Sequence, residues 1–124
     1  MTLTNKENTS LALLVGVDRY KHIETYQYGT KGLKSLGDAL SRIGFDVIEK
    51  TDDQLSRPNI IQEELSRVNL RKYSQVLVYF AGWHVLSSDN QIHLLHPHSI
   101  PGRLRTAVPL RQLAEEINDL VHLG

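Results

Sequence analysis

Cysteine is absent from this 124-residue chain. Its absence excludes disulfides, thiolate metal sites and a cysteine nucleophile within these residues. An excess of either charge is missing as well, because fourteen basic and fourteen acidic side chains cancel. Without a basic or acidic surplus there is no electrostatic footprint for a nucleic acid or a membrane as partner, and near-neutrality makes self-association easier. No apolar run approaches the roughly 18 residues of a membrane span. Met1 to Ser10 is polar and unlike an export signal, so the expected location is the cytoplasm. No Gly-x-Gly-x-x-Gly or Walker-type loop follows an expected strand, and no cofactor is expected. Repeats and low-complexity stretches are absent too.

What is present is ordinary globular usage, 40% hydrophobic and 23% charged, at a length that supports one core rather than two. Residues 1–10 read as a loose tail and 11–124 as the domain. Leu11 to Val17 is an unbroken apolar run, as in a strand buried on both faces. A polar and aromatic loop, Asp18 to Gly29, follows. Leu33, Leu36, Ala39, Leu40 and Ile43 recur at helical spacing, and Gly44 stands where a left-handed cap belongs. Phe45 to Glu49 is a second strand. Ser56 and Pro58 open a second helix whose inward stripe is Ile61, Leu65 and Val68. Gln75 to Ala81 gives the strongest strand signal and is expected at the centre of a sheet. Ser88 to Asn90 marks a turn, Gln91 to Leu95 a fourth strand, and Leu110, Leu113, Ala114, Ile117, Leu120 and Val121 the apolar face of a last helix.

This alternation predicts an α/β fold with a mostly parallel sheet and right-handed crossovers. Ligands of such sheets bind beyond the carboxyl ends of the strands, where the order reverses between the first and third. Two loops are thereby singled out, Asp18 to Gly29 and Gly82 to Val85. His93, His96 and His98 lie close together, but without a carboxylate or thiolate at a fitting distance they do not make a metal site.

Five motifs, in order, resemble the caspase, metacaspase and paracaspase superfamily. They are Leu14-Val-Gly-Val-Asp-Arg-Tyr20, Gly29-Thr30 running to Ile43-Gly-Phe-Asp-Val47, Lys50-Thr-Asp-Asp53 with Asn59-Ile60, Phe80-Ala-Gly-Trp-His84, and Leu94-Leu-His-Pro97. The resemblance spans Leu11 to about Leu120 and implies a three-layer α/β/α sandwich with sheet order 2-1-3-4, truncated before the cysteine-bearing strand. It also implies a cysteine endopeptidase, whose histidine follows the third strand and whose cysteine follows the fourth core strand.

Neither catalytic residue is in place. Trp83 stands where the family has its histidine, and His84 where it has glycine. A one-residue displacement reverses the direction of the side chain in an extended backbone and defeats the roughly 2.6–3.2 Å geometry of a general base. The chain stops at His122-Leu-Gly124, where the family's strand leading to Asp-x-Cys would begin. In the stretch that would hold a substrate's charged side chain, Gln27 is neutral, while Asp18 and Arg19 offer charge from the same loop. The expected binding residues are therefore Asp18, Arg19, Gln27, Gly82, Trp83 and His84, with Trp83 at an interface rather than in the core. The expected function is that of an inactive pseudo-peptidase domain serving as an interaction or regulatory module, its partner another caspase-like chain or itself. The alternative is the N-terminal part of a cysteine endopeptidase whose cysteine lies beyond residue 124 or on another chain.

Overall fold

The computed structural model describes residues 9–55, 60–68 and 72–122. Strand β1, Ser10–Gly16, is buried along its whole length. It pairs in parallel with β2, Phe45–Thr51, on one side and with β3, Gln75–Ala81, on the other, giving the order β2-β1-β3. The continuous apolar run has the burial expected of a strand covered on both faces.

Helix α1, Leu33–Arg42, covers one face, with Leu33 packed on Ala12 and Leu14 and flanked by Leu36 and Leu40. It stops where Gly44 takes φ 103°, the left-handed conformation that only glycine adopts without cost. On the opposite face Leu11, Leu13 and Val15 meet Ile61 and Leu65 of α2, Ile60–Ser66, and Leu113 of α3, Leu110–His122. The helical cap expected at Ser56–Pro58, Asn59, and the side chains of Leu120 and Val121 lie outside the described residues. No described helix is long and apolar enough to cross a membrane.

Two expectations about the sheet are corrected. The fourth strand does not extend the parallel sheet, so the order ends at 2-1-3. Instead β5, Ile92–Leu94, pairs antiparallel with β4, His84–Leu86, and with β6, Val108–Pro109. The cause is the short connection: the Ser87 N–H donates to the Gln91 carbonyl, and Asn90 adopts φ 64°. A parallel return would need a crossover of about a dozen residues or more. The second correction concerns β3, which lies at an edge rather than at the centre. Its α1-side residues Leu77 and Tyr79 are each 41% exposed, because α1 covers β1 and β2 but does not reach them.

Candidate functional site

The loop after β1 is held by partly buried carboxylates. Asp18 accepts hydrogen bonds from the backbone N–H and hydroxyl of Thr30. Asp52 accepts the N–H groups of Asp18 at 2.8 Å and Arg19 at 3.0 Å through one oxygen. These bonds offset the positive φ of 30° at Asp52, an uncommon conformation for a residue with a side chain. Arg19 reaches Asp52 and Asp53 from solvent, at the edge of an open cavity of about 590 Å³ shared with Lys21, Pro97 and His98. Of the loop charges selected from sequence, Asp18 is thus engaged within the loop and only Arg19 faces a cavity. Gln27 is exposed.

Tyr20 joins this loop to the turn after β3. Its hydroxyl accepts the Trp83 N–H at 2.8 Å and donates to the Leu95 carbonyl at 3.2 Å. Burial pushes the phenol well above the ordinary tyrosine range, opposed by the Trp83 N–H and reinforced by Asp52. It therefore remains protonated and able to donate. Gly82 is required beside it, since a Cβ there would come within 2.5 Å of the Tyr20 oxygen.

Trp83 is not presented outward as its place after a strand end suggests. It is half-buried and packs against the main core cluster. Its indole N–H donates to the Glu24 carbonyl at 3.1 Å, and its ring meets Tyr26 edge-on at 4.8 Å. The indole thereby fills the space between the loops that follow β1 and β3, the crevice where the topology places a ligand.

His84 leaves the turn in the other direction. It is exposed and, with Gly82, lines an apolar groove of about 460 Å³ floored by Val78 and Phe80 of β3 and walled by Ile92, Leu94 and the α3 residues Leu110, Leu113, Ala114 and Ile117. The structure therefore divides the sequence-selected residues among three places: Asp18, Arg19 and Gln27 in the β1 loop, Trp83 in the crevice, Gly82 and His84 on the groove. No thiol of this chain can stand near His84, because the chain contains no cysteine.

The groove runs along a sheet edge that is unpaired among the described residues. The Ala81 carbonyl accepts the Val17 N–H, so odd-numbered β3 residues direct their backbone groups at β1. Strand alternation then turns the N–H and C=O groups of Val76, Val78 and Phe80 outward, and none of them has a described partner. An uncovered edge on the third or fourth strand is what the resemblance leads one to expect; the groove beside it is missed by sequence reasoning, which sees only an apolar run.

Of the histidines, His96 and His98 remain neighbours, with ring centroids 6.2 Å apart. His96 is buried, its Nδ1 accepts the His98 N–H at 3.2 Å, and its Nε2 has no described partner. Burial, with His98 beside it, holds its pKa below the usual histidine value. Among the described residues, no three histidine, cysteine or acidic side chains come together as a metal site.

No family model matches the chain, and no curated protein matches its sequence.

Proposed function

We propose that this chain is a catalytically inert domain of caspase-like architecture that acts as a protein-interaction module, accepting an extended segment along β3. The reading of the architecture rests on the five ordered motifs and is compatible with the 2-1-3 parallel core. The single observation that carries the interaction role is the unpaired β3 edge above the apolar groove. An edge of this kind offers N–H and C=O groups to an incoming strand, and its pockets receive alternate side chains. Inertness follows from chemistry: acyl transfer by this family's route needs a thiolate, and Trp83 fills the position of the base.

The test uses a synthetic peptide of the Gln75–Ala81 sequence with solubilising lysines at its ends. Its addition is expected to slow amide exchange at Val76, Val78 and Phe80 while leaving Leu77 and Tyr79 unchanged. Exchange that stays fast at Val76, Val78 and Phe80 in a monomeric chain saturated with the peptide refutes the module.

One observation favours the peptidase alternative: His84 is exposed beside the groove, where a segment docked on β3 could bring a thiol. The isolated chain is expected to give no turnover of basic or acidic peptides. Turnover that arises only with a second, thiol-bearing chain, and is lost in His84→Ala, would replace the inert reading.

A further inference from the structure

We infer that the segment β3 accepts is the β3 of a second copy, paired antiparallel about a twofold axis at Val78. This inference deepens the interaction reading above and rests on it. Its basis is register. The outward-facing backbone groups belong to Val76, Val78 and Phe80, three N–H and three C=O. With the axis at Val78, Val78 faces its own copy and Val76 faces Phe80 of the other chain. Each of these is a hydrogen-bonded pair of the antiparallel type, exchanging two bonds. All six outward groups of each strand are then satisfied and none is left over. Any other register in which outward groups face one another moves the axis off Val78 and leaves some of them unpaired.

The side chains agree with the same register. A twofold axis perpendicular to the sheet keeps the two faces distinct, so Leu77 of one copy stands opposite Tyr79 of the other on the open face. These are the β3 residues that α1 leaves uncovered, each 41% exposed. Aliphatic–aromatic cross-strand pairs of this kind stabilise sheets, and the axis generates two of them. On the groove face, Val78 and Phe80 of one copy continue the floor formed by their counterparts.

Nothing along the edge opposes the pairing. Gln75 to Ala81 contains no charge and no proline, the usual devices that protect an exposed edge. The chain carries no net charge to hold copies apart. An isologous contact is closed by its symmetry, so the assembly stops at two copies.

The test exploits the absence of cysteine, which makes introduced thiols the only ones. Leu77 and Tyr79 of opposite copies form a non-hydrogen-bonded pair, with Cα atoms about 4.5 Å apart, within the roughly 4.4–6.8 Å range of a disulfide. Leu77 and its own symmetry mate are diagonal neighbours, about 7–8 Å apart. A mixture of Leu77→Cys and Tyr79→Cys chains is therefore expected to cross-link under mild oxidation at least tenfold faster than either variant alone. The unmodified chain is expected to sediment as a dimer. Val78→Pro, whose lost N–H points away from β1, is expected to raise the dimer dissociation constant at least tenfold. Circular dichroism of each variant reports whether it is folded.

A monomeric natural chain at the concentrations used for cross-linking overturns the inference. So does cross-linking with no preference for the mixed pair. If the chain is monomeric yet the β3 peptide still protects Val76, Val78 and Phe80, the edge takes a strand from another protein, and the interaction reading survives without self-pairing. If the chain is monomeric and the peptide gives no protection, that reading fails as well.

Discussion

The phenolic oxygen of Tyr20 accepts the backbone N–H of Trp83 at 2.8 Å, across 63 positions of sequence. Because the same hydroxyl donates to the Leu95 carbonyl, one buried atom connects the loop after β1, the turn after β3 and the segment after β5. The position and direction of Trp83 and His84 depend on it.

Tyr20→Phe keeps the ring and removes that atom. The Trp83 N–H and the Leu95 carbonyl lose a buried partner, so the expected cost is about 1–3 kcal/mol of folding stability. A denaturant melt with unchanged m-value checks this. A variant as stable as the parent would mean that water replaces the hydroxyl at no cost.

Trp83→Ala removes a half-buried ring, its edge-on contact with Tyr26 and its bond to Glu24. The expected loss is about 2–3 kcal/mol, below the roughly 3–5 kcal/mol of a fully buried tryptophan. The groove on the other side of the turn should keep its affinity for the β3 peptide. Loss of peptide binding with unchanged stability would instead place Trp83 in the recognition surface.

Two glycines separate backbone crowding from helix propensity. A Cβ on Gly29 would lie 2.2 Å from the Val17 carbonyl oxygen, a backbone atom that cannot move aside, whereas one on Gly37 would meet chiefly the flexible end of Glu49. Gly29→Ala is expected to destabilise by about 1–3 kcal/mol or more. Gly37→Ala, inside α1, is expected to be neutral or stabilising by up to about 1 kcal/mol. Thermal melts of the pair check the contrast, which equal effects would abolish.

Stability is expected to fall with acid through His96. Its pKa in the folded chain is held below the usual histidine value by burial and by His98, so between the two values the unfolded chain binds more protons. The contribution is fully present above the unfolded pKa of about 6.5. It is lost as pH falls through the lower folded value. His96→Asn can still accept the His98 N–H but does not titrate, and its acid limb should be shallower in unfolding followed against pH. Parallel pH profiles for parent and variant would remove His96 from the account.

Much of the fold is legible in local sequence. The apolar run at β1 marks a strand buried on both faces, and Gly44 marks the end of α1, because burial and backbone conformation leave period and residue type as traces. That the uncovered edge belongs to β3 rather than to the fourth strand leaves no such trace. The continuous apolar run of β3 fits a central strand equally well, and only the turn at 87–91, which sends β5 to β4, leaves the edge open. The candidate site was legible as two loops but not as three places, since the directions of Trp83 and His84 are set by Tyr20, Glu24 and Tyr26, far away in the chain.

The sequence by itself determined that no thiol chemistry is available within these residues and that β1, α1 and β3 form where they do, because residue chemistry and hydrophobic period are local properties. Only the tertiary structure decided that Asp18 is engaged within its loop, that Trp83 fills the crevice between two loops, and that Val76, Val78 and Phe80 turn unpaired backbone groups outward beside an apolar groove. Those outcomes depend on which distant segments meet, and hydrogen-bond pairing between them is a property of the assembled sheet rather than of any segment read alone.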